Sequence, residues 1–250
     1  MRGGIPICSM VASLCFYAAG LLWNDVFDAS IDAKERPSRP IPSGRVSRML
    51  VLLVGVGLAG IGLLLAWNGF SVALVLLGLI LFYNVLAKHI AWIGVITMGC
   101  CRGMNIYLGA ATSWPMGETP VVALLLWVML FFTGYIVLVS VIAKNEAVPS
   151  AKTGKVRFLA PLMCLLLVPL FLWFDRGMWW PPIVVAIGLA AFLFRSLRVP
   201  ELVAGLIRFL IPLQCVCCLA MYESGCKWVV LFFCSCFIGA LLAARRFSGS

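Results

Sequence analysis

The hydrophobic positions of this chain form long apolar runs that are separated by short polar segments. Each run has roughly the 20 residues that an α-helix needs to cross a bilayer, and the alternating pattern of membrane strands is absent. The pattern predicts an all-α, polytopic transmembrane helical bundle of about nine spans (eight or nine), with boundaries good to a few residues. The predicted spans are about 5–23, 49–67, 70–87, 90–112, 120–143, 158–174, 179–197, 200–221 and 227–245.

Composition supports a membrane environment for the whole chain. Of the 250 residues, 64% are hydrophobic and 11% are charged, and the mean hydropathy is +1.11. Soluble domains carry about 25% charged residues, so core burial in a soluble fold does not explain so much apolar sequence. We expect a single transmembrane domain over residues 1–250.

The net charge of +10 is explained by topology. Most lysines and arginines fall on alternate connections, which share one side of the membrane, and the positive-inside rule makes that side cytoplasmic. We therefore expect a multi-pass protein of the plasma or inner membrane, in contact with lipid, with no nucleic-acid partner and no evident obligate protein partner. The basic side holds Lys34, Arg36, Arg39, Arg45, Arg48, Lys88, Lys144, Lys152, Lys155, Arg157, Arg195, Arg198, Arg245 and Arg246, and the opposite side holds Arg2, Arg176 and Lys227.

The eleven cysteines lie mostly inside apolar spans, where they act as small hydrophobic residues. The cluster Cys215–Cys218 has no histidine nearby, because His89 is the single histidine of the chain. A zinc site or a disulfide framework is therefore disfavoured.

The most informative polar segment follows the first apolar run. Asn24, Asp25, Asp28 and Asp32 have helical spacing that places them on one face. Carboxylates on one stripe repel one another, so a cation must offset their charge. Hard oxygen ligands at this spacing suit Mg²⁺, which shares its remaining positions with water and substrate phosphate.

Two connections on the basic side are long enough to form active-site loops, about 24–48 and 144–157, and a shorter one lies at Lys88–His89. In the first loop, Pro37, Pro40 and Pro42 should end the helix that carries the aspartates. Pro42–Gly44 then predicts a turn back towards the second span. The basic residues that follow the acids make this loop a candidate for binding both a cation and phosphate.

Residues 17–45 contain NDxxDxxxD followed by RPxRPIPSG, and this pair resembles the first signature of the UbiA superfamily of intramembrane prenyltransferases. Tyr83–Lys88 is similar to the element that closes the family's fourth helix. Met98–Ala110 resembles the fifth helix, particularly in a divergent branch often labelled EboC-like. The resemblance is close over roughly residues 1–160 and extends further only in hydropathy.

The resemblance implies a bundle that binds a prenyl diphosphate through Mg²⁺ and transfers the prenyl group to an aromatic or other lipophilic acceptor. Catalytic and metal-binding roles would fall on Asp25, Asp28 and Asp32, with Glu146 as a further metal ligand. Substrate-binding roles would fall on Asn24, Arg36, Arg39, Tyr83, Lys88, Arg102, Asn105 and Lys144. Arg102 and Asn105 also stand out by themselves, because ionisable and amide groups within an apolar span usually face a functional interior or pair between helices.

Two departures from the family pattern bear on activity. The second Asp-rich signature is replaced by residues 144–152, in which Glu146 is the sole carboxylate. The first signature also follows the first span, where the family has a complete preceding helix, so the resemblance implies that the chain is N-terminally short or that Met1 is an internal start. A cleaved signal peptide over residues 1–20 is disfavoured, because the apolar run leads directly into the signature.

The weakened second signature leaves one alternative open, a catalytically weakened UbiA-like membrane protein that acts as an isoprenoid or lipid carrier or as a complex subunit. A CDP-alcohol phosphotransferase is disfavoured. Such an enzyme needs a glycine after its second acid and an Ala-Arg element, and Asp28–Asp32 has neither.

Overall fold

The computed structural model describes residues 7–113, 119–144, 180–193, 199–221, 231, 234–240 and 242. Every regular element in these ranges is helical, and none of the described residues lies in a strand. The chain divides into two compact units, Met1–Val137 and Leu138–Ser250, which are described separately. The single-domain organisation over residues 1–250 stays a prediction.

The first unit contains four helices and most of a fifth. In chain order they are α1 (Ile7–Glu35), α2 (Arg48–Leu65), α3 (Phe70–Val85), α4 (Ala91–Ser113) and α5 (Thr119–Lys144), of which α5 continues past the boundary at Val137. Short 3-10 turns at Trp67–Gly69 and Ala87–His89 connect α2 to α3 and α3 to α4. These bounds agree with the predicted spans within a few residues, except that α1 extends well beyond residue 23.

α1 reaches Glu35 because no proline occurs between Ile7 and Pro37. A proline disfavours helical geometry in the residue that precedes it, so Arg36 closes the last turn through its backbone N–H, which donates to the carbonyl of Asp32 at 2.7 Å. The predicted helix end before the proline-rich segment is confirmed. The aspartates therefore belong to the same continuous helix as the apolar span.

α1 and α2 pack through aromatic rings that lie over glycines. A Cβ placed on Gly55 would lie 2.5 Å from Nε1 of Trp23, and one on Gly62 would lie 2.9 Å from Cε1 of Phe16. Both rings are nearly fully buried. The two aromatic residues are seven positions apart on α1, and the two glycines are seven positions apart on α2. The same face of α1 therefore contacts α2 over two turns.

α4 packs against α5 through Gly99 and Gly103, a small-xxx-small pattern that lets two membrane helices approach closely. A Cβ on Gly99 would lie 2.6 Å from the carbonyl oxygen of Thr133, and one on Gly103 would overlap the Thr133 hydroxyl. This fixes the rotation of α4 about its own axis.

The second unit contains the end of α5 and two described helices, α6 (Trp180–Leu193) and α7 (Val199–Met221). The rings of Phe192 and Phe209 pack with centroids 5.4 Å apart, and Phe192 also contacts Gly205. Both helices agree with predicted spans. The predicted span 158–174 lies outside the described residues, and 227–245 lies only partly within them.

Within the described residues, four helical segments are long and apolar enough to cross a membrane: Ile7–Glu35, Arg48–Leu65, Trp67–Val85 and Leu125–Ala143. Their surfaces expose many large apolar side chains, which is typical of helices in lipid. The protein is an integral membrane protein, and the predicted all-α transmembrane bundle is confirmed.

Candidate active site at the end of α1

The last eleven residues of α1 carry the predicted acidic stripe. At about 100° per residue, Asp25, Asp28 and Asp32 lie within an arc of about 60°. Their exposure differs, because the Asp25 side chain is 52% exposed whereas that of Asp32 is 9% exposed. The stripe therefore runs from the surface into the packed part of the first unit.

Arg39 lies in the loop that follows α1 and pairs with two carboxylates of the stripe. Its Nη1 lies 3.2 Å from Oδ1 of Asp25 and 2.8 Å from Oδ2 of Asp32, so one nitrogen joins two carboxylates a full heptad apart. Backbone hydrogen bonds hold the loop in a compact form, with the Ser43 N–H donating to the Arg39 carbonyl at 2.9 Å. Gly44 has a φ of 72°, a left-handed conformation that glycine adopts without steric cost, and it turns the chain towards α2.

Lys88 pairs with the remaining carboxylate of the stripe, that of Asp28. It lies in the 3-10 turn Ala87–His89, and its Nζ donates to Oδ1 of Asp28 at 2.5 Å and to Oδ1 of Asn24 at 3.3 Å. Only 11% of the Lys88 side chain is exposed. A largely desolvated ammonium between a carboxylate and an amide oxygen is a strong, charge-assisted contact.

The two neighbouring cations do not balance the negative charge of the acidic stripe. Three carboxylates face two cations, and each carboxylate uses one oxygen in the ion pairs given above. Among the described residues, no group of three or more histidine, cysteine or acidic side chains is already gathered around one point as a metal site. The donor set still fits a hard cation, because the second oxygen of each carboxylate makes no hydrogen bond or ion pair with the described part of the chain.

The structure brings together six of the predicted residues: Asn24, Asp25, Asp28, Asp32, Arg39 and Lys88. Tyr83 is half-buried near them, within electrostatic range of Asp28. The side chain of Arg36 is exposed, and no hydrogen bond or ion pair joins it to the aspartates. The side chain of Lys144 and all of Glu146 lie outside what the structure describes, and their roles stay predictions.

One residue beside the site was not predicted. Asn84 is 3% exposed, and its Nδ2 donates to the carbonyl of Ile80 at 2.9 Å and to that of Gly20 at 3.4 Å. It therefore ties α3 to α1 one turn before Asn24. An amide within an apolar helix is the signal that could have identified it.

Arg102 and Asn105 lie at a second polar layer, where α4 crosses α1. The Cζ of Arg102 lies 5.5 Å from the centroid of the Tyr17 ring, and the Ser13 hydroxyl donates to Oδ1 of Asn105 at 2.9 Å. Ser13 and Tyr17 were not predicted as site residues. Both are polar residues inside an apolar span, one helical turn apart.

An acidic helix end beside fixed cations is suited to a divalent cation together with a phosphate group. Comparison with known families identifies the class of protein. The UbiA prenyltransferase family model matches residues 3–205, and the chain belongs to this family. The predicted family membership is confirmed, whereas the EboC-like branch stays a prediction.

Several curated relatives carry the name digeranylgeranylglyceryl phosphate synthase. The chain is 33% identical to the one from Methanothrix thermoacetophila over 124 residues, which is 48% of this chain and 46% of the relative. It is 31% identical to the one from Methanopyrus kandleri over 137 residues, which is 53% of this chain and 49% of the relative. The chain thus spans about half the length of the curated relatives it matches. No solved structure matches it.

Proposed function

We propose that this protein is a membrane-embedded prenyltransferase that moves a prenyl group from a prenyl diphosphate to an aromatic or other lipophilic acceptor with Mg²⁺. The observation that carries the proposal is the acidic stripe of α1, whose Asp25, Asp28 and Asp32 are contacted by the cations Arg39 and Lys88. Family membership supports the same chemistry.

The proposed roles follow from charge. Asp25, Asp28 and Asp32 would hold Mg²⁺, with Asn24 as a neutral oxygen donor beside them. When bound, Mg²⁺ supplies charge stabilisation for a leaving diphosphate. Arg39 and Lys88 are positioned to exchange their carboxylate contacts for contacts with the diphosphate oxygens, and the exposed Arg36 is a further cation for them.

In the proposed reaction, the allylic C–O bond breaks and the diphosphate leaves with the electron pair. The nucleophilic atom of the acceptor forms the new bond to the prenyl carbon and loses a proton, which the released diphosphate can accept. Fixed cations at the leaving group favour this step, because they are in place before the negative charge develops. The apolar helices exclude water, which would otherwise trap the allylic cation.

We further propose that the acidic end of α1 lies at the cytoplasmic face. The support is the distribution of lysine and arginine over alternate connections, together with the positive-inside rule. For the acceptor, the name of the relatives indicates a glyceryl phosphate lipid, which falls within the proposed class of lipophilic acceptors.

The test uses the full chain in lipid nanodiscs with Mg²⁺, radiolabelled geranylgeranyl diphosphate and a panel of acceptors that includes geranylgeranylglyceryl phosphate and 4-hydroxybenzoate. We expect acceptor-dependent release of diphosphate and a prenylated product. Asp28→Asn should lower the rate by about 10²–10³-fold, the loss that follows removal of one group that stabilises transition-state charge. Glu35→Gln is the matched control, since it removes an exposed carboxylate from the same helix and should keep the rate within about twofold of wild type.

The same preparation separates transferase from carrier. Binding of geranylgeranyl thiodiphosphate that depends on Asp28, with no turnover across the panel, would contradict the transferase proposal and favour an isoprenoid carrier or complex subunit. Equal activity of Asp28→Asn and Glu35→Gln would show that the acidic stripe has no role in the reaction.

A further inference from the structure

The second polar layer of the first unit has an arginine at the centre of α4, a helix that coincides with the predicted span 90–112 but is not one of the four described segments given above as long and apolar enough to cross a membrane. Arg102 is the twelfth of the 23 residues of α4, so about 17 Å of helix lies on either side of it. An ionised side chain at such depth is costly, and it usually faces a functional interior or pairs with an opposite charge.

No carboxylate of the described residues pairs with Arg102. Its contact is the face of Tyr17, which attracts a cation but carries no net charge. Both side chains are exposed, Tyr17 by 53%, so the guanidinium retains N–H donors that this contact does not use.

Asn105 adds donors to the same layer. Its Oδ1 accepts one hydrogen bond from the Ser13 hydroxyl, and its Nδ2 carries two further N–H donors. The guanidinium has only donors, and together with the amide N–H groups these donors outnumber the remaining acceptor of Oδ1. A layer of this composition is complementary to an anion.

The layer is continuous with the acidic site. Tyr17 precedes Asn24 by seven residues on α1, which is about 10 Å along the helix and nearly the same face. Tyr83 of α3 lies within electrostatic range of Asp28 and of Cys101, the neighbour of Arg102 in the chain. A molecule that reacts beside the diphosphate could therefore extend an anionic group to Arg102.

We propose that Arg102 and Asn105, supported by Tyr17 and Ser13, bind the anionic group of the acceptor, a phosphate or a carboxylate, and so select anionic over neutral acceptors. This inference rests on the proposed transferase function. It assigns an anionic acceptor to this layer, whereas the acidic stripe is the proposed site of the prenyl diphosphate.

Two pairs of acceptors test the proposal in nanodiscs with geranylgeranyl diphosphate. Geranylgeranylglyceryl phosphate is compared with geranylgeranylglycerol, and 4-hydroxybenzoate is compared with its methyl ester. Wild type should prefer the anionic member of one pair, and the pair that responds distinguishes a phosphate from a carboxylate. Arg102→Gln should reduce that preference by about 10–100-fold, mainly through the KM of the acceptor, as expected for loss of a charge-assisted hydrogen bond.

Three variants serve as comparisons. Arg102→Lys keeps the charge and should keep part of the preference, and Asn105→Leu should lower it to a smaller extent. Arg48→Gln removes an exposed arginine at the start of α2 and should leave the preference unchanged.

Direct binding makes the inference separable from the proposed function. The thermal shift that geranylgeranylglyceryl phosphate or 4-hydroxybenzoate produces, relative to its neutral analogue, should shrink in Arg102→Gln whether or not turnover occurs. Absence of turnover with this shift intact would contradict the transferase proposal but leave the anion site supported.

The inference is overturned if wild type shows no preference for anionic acceptors, or if Arg102→Gln leaves that preference unchanged. It is also overturned if Arg102→Gln loses binding of geranylgeranyl thiodiphosphate, because that would place Arg102 in the donor site. If Arg102→Gln does not fold, Arg102→Lys and Asn105→Leu carry the test by the same measurements.

Discussion

Replacing Lys88 with methionine should change the affinities for Mg²⁺ and for prenyl diphosphate in opposite directions. The ammonium of Lys88 occupies Oδ1 of Asp28 and Oδ1 of Asn24, two oxygens that we propose as part of the metal-binding face. Lys88 and Mg²⁺ therefore compete for the same carboxylate, that of Asp28, when no substrate is bound. With a diphosphate present, the same lysine is an attractive charge, so its loss weakens substrate binding.

The magnitude follows from the burial of the pair. The Lys88 and Asp28 side chains are 11% and 23% exposed, and their charged atoms are 2.5 Å apart. Hydrogen bonds to charged groups of this kind contribute about 1.5–3 kcal/mol, whereas exposed pairs contribute about 0–1 kcal/mol. Taking the lower end of the first range, ~1.5 kcal/mol, gives about a tenfold change in a dissociation constant. Lys88→Met should bind Mg²⁺ about tenfold more tightly alone and geranylgeranyl thiodiphosphate about tenfold more weakly.

Isothermal titration calorimetry of the protein in nanodiscs measures both constants. Lys34→Met is the matched control, because Lys34 is an exposed cation in the last turn of α1 and should shift either constant by less than about twofold. A decrease in both affinities would mean that Lys88 supports the fold of the site, and the competition argument would be wrong. An unchanged Mg²⁺ affinity would show that Asp28 does not bind the metal.

Two further predictions concern the loop and the packing of α1. Arg39→Gln should raise the KM for prenyl diphosphate by about 10–100-fold, because it removes the guanidinium that joins two carboxylates, while Arg45→Gln in the same loop should have little effect in steady-state assays. Gly55→Ala should lower the free energy of unfolding by about 1–3 kcal/mol relative to Gly57→Ala, because the new methyl group would lie 2.5 Å from Trp23 whereas Gly57 has nothing within 4 Å. Thermal unfolding followed with a thiol-reactive dye measures the second difference.

Each of these predictions has an outcome that would contradict it. Equal KM values for the two arginine variants would mean that the contact with the carboxylates has no bearing on substrate binding. Equal melting temperatures for the two glycine variants would mean that the Trp23 ring moves aside at no cost. Since Trp23 directly precedes Asn24, a displaced ring should also weaken Mg²⁺ binding in Gly55→Ala.

The local features of the site could be predicted from sequence. The stripe of Asp25, Asp28 and Asp32 follows from helical spacing, and the helix end follows from Pro37. Apolar runs gave the helix bounds within a few residues for most described spans. The predicted apolar span stops at residue 23, whereas α1 continues without a break through the aspartates to the helix end predicted before Pro37.

The contacts that complete the site could not be predicted in the same way. Lys88 lies 60 residues from Asp28 along the chain, and Asn105 lies 92 residues from Ser13. Such pairs depend on how the helices are rotated and on their relative height in the bundle. Glycine packing at Gly55 and Gly103 sets that rotation, and a sequence shows the glycines without showing which neighbour approaches them.

The uninterrupted length of α1 has a consequence for the lipid. Its 29 residues span about 43 Å, whereas the hydrocarbon core is about 30 Å thick, so the acidic end extends into the headgroup region. Lys88 is held by α3, whose 16 residues span about 24 Å. A helix that is longer than the hydrocarbon core adapts by tilting, whereas a shorter helix adapts by thinning the bilayer around it. We therefore expect the separation between Lys88 and Asp28 to vary with the length of the acyl chains around the protein.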